Sequence, residues 1–258
     1  MVEAGKVVNT EATKAFIDSH WEPWFVTGLS DFIRCPNLTP MVDTEYLTNG
    51  LVQEAIKLVD DYVNKLEIMG LHRQVFQPEG MPPLIVYVVD GQGSDTNVML
   101  YGHLDKQPWM EGWGEGLGAT SPVIRDGYLY GRGGADDGYS VFSVMLAIKN
   151  AQIQGVTMPR CVLVLESEEE SGSPHLLHLL DSAKEFIGKP DFMLCMDTGA
   201  LNYDTFWMSS SLRGMCALTV TVKGAKEGYH SGEVGGIVPE TFRVLRTLLN
   251  RIENPHTH

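Results

Sequence analysis

Four segments of the sequence place imidazole or carboxylate side chains where apolar runs end. Tyr101-Gly102-His103-Leu104-Asp105 closes the run at 98–102. A His followed two residues later by Asp suits a metal-bound imidazole backed by a carboxylate, and a solvated turn is the plain alternative. Gly131-Arg132-Gly133-Gly134-Ala135-Asp136-Asp137-Gly138 is glycine-rich enough to cradle a phosphate before a helix. It lacks a Walker Lys-Ser/Thr, however, and Asp136 stands where a dinucleotide fingerprint needs its third Gly. Two carboxylates there repel phosphate and suit a divalent cation, or one of them simply caps the helix. Glu166-Ser167-Glu168-Glu169-Glu170-Ser171-Gly172-Ser173 crowds four carboxylates into five residues, which is costly unless cations or solvent share the charge. One of them can ligate a metal while its neighbour acts as a general base; a solvated acidic loop is the alternative. Asp197 ends the run at 192–196 and is either a fourth donor or a turn former.

The elements that must carry these residues alternate between strand and helix. Helical patterns open the chain at 10–29 and 45–69, the second with an apolar stripe at Leu51, Ala55, Leu58, Tyr62 and Leu66. Short β-branched runs follow at 73–76, 84–89 and 98–102, then a hairpin at 122–130 turning on Asp126-Gly127. A helix at 139–153, a buried strand at 161–165, a helix at 174–187 and a buried strand at 192–196 complete an α/β pattern with a mostly parallel sheet. In such a sheet ligands bind beyond the carboxyl ends of the strands, so donors at successive strand ends converge on one edge. A mixed His/carboxylate set suits zinc, with manganese or cobalt as substitutes. Near residue 207 the texture changes to an alternating strand at 216–222 and a helix at 239–252, which places a domain boundary at about 211.

Composition narrows the function classes. The 258 residues include 33 acidic against 19 basic side chains, for a net charge of −14. That balance argues against nucleic-acid partners and against docking on an anionic membrane. The N-terminus shows no secretory pattern, and no apolar run approaches the ~18 residues of a membrane helix. Cys35, Cys161, Cys195 and Cys216 form no CxxC, and they read as buried reduced thiols of a cytoplasmic protein.

The collinear set is more specific than its parts. Gly102-His103-Leu104-Asp105, Leu129-Tyr130-Gly131-Arg132-Gly133-Gly134-Ala135-Asp136, Glu169-Glu170-Ser171-Gly172-Ser173, Asp197 and Tyr229-His230-Ser231-Gly232 span nearly the whole chain. In this set the sequence resembles the co-catalytic zinc peptidases, a family that includes carnosine-type dipeptidases, aminoacylases, carboxypeptidase G and succinyl-diaminopimelate desuccinylase. Residues 101–108 with Trp113 are closest to the dipeptidase branch. The resemblance implies an α/β catalytic domain over 1–211, with a mostly parallel sheet flanked by helices, and the start of an α+β lid or dimerisation domain over 212–258. It implies two zinc ions per complete site. His103 and Asp197 would hold the first, Glu170 the second, and Asp136 would bridge both. Asp105 would orient the His103 ring, Glu169 would be the general base, and His230 would polarise the substrate carbonyl from the lid. The expected activity is hydrolysis of dipeptides or small peptides by a cytoplasmic homodimer joined through the lid, with an N-acyl amino acid amidohydrolase as the alternative.

Two departures from the family pattern stand out. Relatives often show Asp-x-Lys-Gly where this chain has Asp136-Asp137-Gly138-Tyr139, so that lysine is absent. The family also draws a last His ligand from a segment after the lid. His256 and His258 do not match that motif, so the chain is expected to be truncated within the lid, and a metal-binding but inactive fragment is a further alternative.

Overall fold

The computed structural model describes residues 7–254, 256 and 257. The chain divides into two units, Met1–Asn202 and Tyr203–His258.

In the first unit α1 (Thr10–His20) starts on Asn9, whose side chain accepts from the Ala12 amide at 2.9 Å. The expected helix at 10–29 is interrupted. A wider π-type turn at Trp21–Val26 contains Pro23, which has no N–H to give the helical ladder, and α2 (Thr27–Arg34) follows. The second helix is shorter than expected: α3 (Leu51–Asn64) begins only after Gly50, which adopts a left-handed conformation at φ +82. Next come β1 (Leu71–Phe76), β2 (Leu84–Val89) and β3 (Asn97–His103). The hairpin β4 (Val123–Arg125) and β5 (Tyr128–Tyr130) turns on Asp126 and Gly127, both at positive φ as a two-residue type I′ connection requires. Then α4 (Tyr139–Gln154), β6 (Arg160–Glu166), α5 (Leu176–Ile187) and β7 (Phe192–Cys195) alternate.

The five-stranded sheet has the order β1-β2-β6-β3-β7. β3 is parallel to both β6 and β7, while β2 is antiparallel to β1 and β6, so β2 alone runs against the other four. The α/β class and mostly parallel sheet are as expected. Both faces are covered, which is why β2 and β6 are continuous apolar runs. Ile85, Tyr87, Val89, Leu163 and Leu165 join the core containing residues of α2, α3 and α4. Leu84, Val86, Val88, Val162 and Val164 face the other way, with Leu179, Ala183 and Ile187 of α5.

β7 departs from the sequence expectation. It is exposed along its length, because it pairs with β3 on one side only and forms the sheet edge. The thiols also divide: Cys35 and Cys161 are buried, whereas Cys195, on β7, and Cys216 are exposed.

The second unit contains α6 (Ser231–Val234) and α7 (Thr241–Ile252). The strand expected at 216–222 does not form; no strand among the described residues of this unit lies beside it to complete a ladder. Among the described residues, no helix is long and apolar enough to cross a membrane.

Candidate metal centre

Three adjacent strands deliver the donors. His103 is the last residue of β3, Glu166 the last of β6, and Asp197 follows β7. The register pairs His103 directly with Glu166, so the loops leaving β3 and β6 start side by side. Asp197 is held close because Met196 donates its amide to the Tyr101 carbonyl at 2.8 Å, while the Tyr139 hydroxyl donates to the Met196 carbonyl. Asp136 comes from the glycine loop that precedes α4.

The centre of the cluster is the His103 imidazole, which is fully buried. Its Nδ1 lies 3.0 Å from the Asp105 main-chain oxygen and 3.4 Å from the Asp105 carboxylate. With its proton on Nδ1, the ring turns Nε2 towards Asp136 Oδ1 at 3.0 Å and Asp197 Oδ2 at 3.7 Å. Ligand atoms of His103, Asp136 and Glu170 lie within 4.8 Å of one another, as do those of His103, Glu169 and Asp197. The Asp105 carboxylate has a second task. Its two oxygens accept the amides of Glu169 and Glu170, both at 3.1 Å, and so fix the backbone of the acidic loop.

The run 166–170 is not a solvated acidic loop, because its carboxylates have separate environments. Glu166 is fully buried and accepts from the Tyr101 hydroxyl and from Ser173 Oγ at 2.8 Å. Glu168 is buried too, and takes the His175 amide at 2.7 Å and His175 Nδ1 at 2.9 Å where α5 begins. Glu169 and Glu170 are half-buried at the cluster.

Electrostatics favour a cation here. Burial pushes Glu170 up to about 7 and also raises Glu169 and Asp197. Burial lowers the His103 imidazole, but hydrogen bonds to Asp105 and Asp136 more than reverse this, to about 11. Asp136, bonded to that ring, is held below its ordinary range. The buried Glu170 Oε1 accepts no hydrogen bond among the described residues. An acceptor-only set of carboxylates around one imidazole nitrogen, with a buried oxygen left over, fits a divalent ion.

Six of the seven expected site residues thus come together in the first unit. His230 belongs to the second, where it caps α6 and accepts the Gly232 amide at 3.1 Å. Sequence reading offered Asp137 only as a cation donor or helix cap; the structure buries it, and it accepts the His103 amide at 3.1 Å. Sequence reading did not single out Gln107, whose side-chain amide donates to Glu170 Oε2. The missing lysine of the Asp-x-Lys-Gly pattern has a steric reason: a Cβ at Gly138 would lie 2.4 Å from two ring carbons of Phe32 and 2.6 Å from the Gly133 carbonyl oxygen.

Comparison with known proteins gives the family and the fold. A family model described as Peptidase family M20/M25/M40 matches residues 99–230. A Cys-Gly metallodipeptidase of Schizosaccharomyces pombe is 28% identical over 245 residues, covering 90% of this chain and 50% of that protein. A Beta-Ala-His dipeptidase of Rattus norvegicus is 32% identical over 260 residues, covering 94% and 51%. Among solved structures, a di-peptidase of Saccharomyces cerevisiae superposes with a TM-score of 0.61 at 22% identity, over 93% of this chain and 52% of that one. Human carnosine dipeptidase 1 gives a TM-score of 0.59 at 21% identity, over the same shares of 93% and 52%. These two likenesses concern the fold. The chain spans about half the length of the curated relatives it matches.

Proposed function

Because the chain belongs to the peptidase family M20/M25/M40, we propose that it carries the metal-binding and general-base residues of a hydrolase acting on dipeptides or small peptides. The observation that carries this reading is the convergence of His103, Glu169, Glu170 and Asp197, beyond the adjoining ends of β3, β6 and β7, with Asp136 of the glycine loop. The relatives' names, Cys-Gly and Beta-Ala-His dipeptidase, supply the substrate class.

In this reading His103 and Asp197 would hold one zinc and Glu170 a second, with Asp136 available to both; manganese or cobalt could replace zinc. When bound, zinc supplies Lewis acidity towards the scissile carbonyl and lowers the pKa of water. The chain's own residues do the rest. Glu169 accepts the proton of the attacking water and passes it to the leaving amine, and Asp105 keeps the Glu169 backbone in place through its amide. Asp105 also fixes the tautomer of His103 through its main-chain oxygen. His230 donates to the developing oxyanion. In the dipeptidase-like reading it does so from the lid of a partner subunit in a cytoplasmic homodimer, the lid beginning near residue 212.

The test is zinc-dependent release of amino acids from Cys-Gly and β-Ala-His, measured on the 258-residue chain and on the full native gene product. Glu169→Gln should keep the metal and lose ~10²–10⁴-fold in turnover, since an amide cannot take the proton. Cleavage of acetylated amino acids alone would favour the amidohydrolase, and metal binding without turnover in both proteins would favour a binding module. Near-native turnover by Glu169→Gln would move the general-base role elsewhere.

A further inference from the structure

Lys106 is fully buried, three residues after His103 and outside the ligand set. Its ammonium donates to the carbonyls of Phe32 and Cys35, each at 2.6 Å, and sits 4.2 Å from the centroid of the Phe32 ring. Those carbonyls belong to the C-terminal end of α2, where the Phe32 carbonyl also accepts the Cys35 amide at 3.1 Å and the negative end of the helix dipole favours a cation. The main chain of the same turn is clamped as well. Thr39 donates its amide to the Lys106 carbonyl at 2.9 Å, and Asn37 Nδ2 donates to the Leu104 carbonyl at 2.7 Å. The lysine stem lies against the glycine loop, since a Cβ on Gly133 would stand 2.6 Å from Lys106 Cε. Phe32, under the ammonium, also fills the space beside Gly138. From the turn that carries His103 and Asp105, the Lys106 side chain therefore touches both the end of α2 and the loop carrying Asp136.

Burial pushes the Lys106 amine down to about 7. An apolar side chain would fill this space without that cost; what the ammonium adds is two donors directed at α2.

We propose that Lys106 is a positioning residue of the metal centre, locking the end of α2 to the His103 turn and the glycine loop and thereby setting the approach of His103 to Asp136. This rests on the metal-binding reading above. The test begins with zinc and cobalt affinity of the unsubstituted chain; failure to bind either would end the metal-binding reading itself, and this inference with it. Lys106→Met keeps most of the apolar stem and removes the donors. If Lys106 positions the centre, the folded variant loses roughly 10–100-fold in metal affinity and its cobalt absorption spectrum changes. A variant with a lowered Tm but parental affinity and spectrum would overturn the proposal, because Lys106 would then serve the fold alone. Should the variant not fold, hydrogen exchange on the unsubstituted chain decides. Zinc should slow amide exchange at residues 33–39 as well as at the ligand loops, and protection confined to the ligand loops would overturn the coupling.

Discussion

Asp137 and Glu170 show what the candidate metal centre demands of single residues. Burial pushes both carboxyls up to about 7, against ordinary values of 3.8 and 4.5. A group whose folded pKa is raised stabilises the fold fully below its unfolded pKa and loses that contribution as pH rises through the folded value. The metal-free chain should therefore lose stability between about pH 4.5 and 7.5, as the folded state is made to release protons that the unfolded state has already lost. Zinc should reverse the slope, because its ligands must be deprotonated to bind. Thermal unfolding across this range, with chelator and with zinc, checks both signs; a chelated Tm that rises with pH would show that these carboxyls are not held protonated. The candidate donors could be picked out in the sequence, because His103 and Asp197 close apolar runs, Asp136 lies in a glycine-rich loop and Glu170 in the acidic run that follows a strand. The contacts of Asp137, Gln107 and Lys106 could not, because their partners (the His103 amide, the Glu170 carboxylate and the carbonyls of α2) are set by the packing of segments distant in sequence. Asp105 was legible in kind, as a residue serving His103. That it also braces Glu169 and Glu170 depends on β3 and β6 lying side by side.

At the scale of elements, what could be read was periodicity and what could not was neighbourhood. β2 and β6 follow from uninterrupted aliphatic runs, and α4 follows from an apolar pattern beginning just after the glycine loop. The exposure of β7 could not be read, because Phe192, Met193, Leu194 and Cys195 have the composition of an interior strand and sit at an edge. The break after α1 was readable in principle from Pro23, but the aromatic residues around it continue a helical pattern. α4 also anchors the helices that cover the sheet carrying the candidate site. Phe142 is fully buried, with its ring centroid 5.4 Å from Trp24, 5.9 Å from Tyr62 and 6.1 Å from Phe25, all near edge-on. Phe142→Ala should cost about 3–5 kcal/mol in chemical denaturation, the range for removing an aromatic side chain from a packed core. A cost under about 1 kcal/mol would mean that α1, α2 and α3 close over the space, and that this cluster does not hold the helical layer in place.

For the whole molecule the question is how metal loading is distributed along the chain. His103 Nε2 lies 3.0 Å from Asp136 and 3.7 Å from Asp197, and in the proposed reading these three residues, with water, would complete a four-coordinate zinc. A second ion has only Asp136, already shared, and Glu170, whose other oxygen is engaged by Gln107. All of these residues lie in the first unit, and His230, in the second, is not among them. Loading should therefore be unequal: one tightly held zinc per 258-residue chain after dialysis, weakened in acid as His103 and the carboxylates take up protons. His230→Ala should leave that zinc content unchanged while lowering turnover of the native gene product, because an oxyanion donor acts on substrate and not on the metal. Elemental analysis of both proteins after exhaustive dialysis is the measurement. Two tightly bound ions would mean that the second position has a donor outside the four ligands named here. Loss of zinc in the His230→Ala protein would make His230 a ligand and remove it from the role of oxyanion donor.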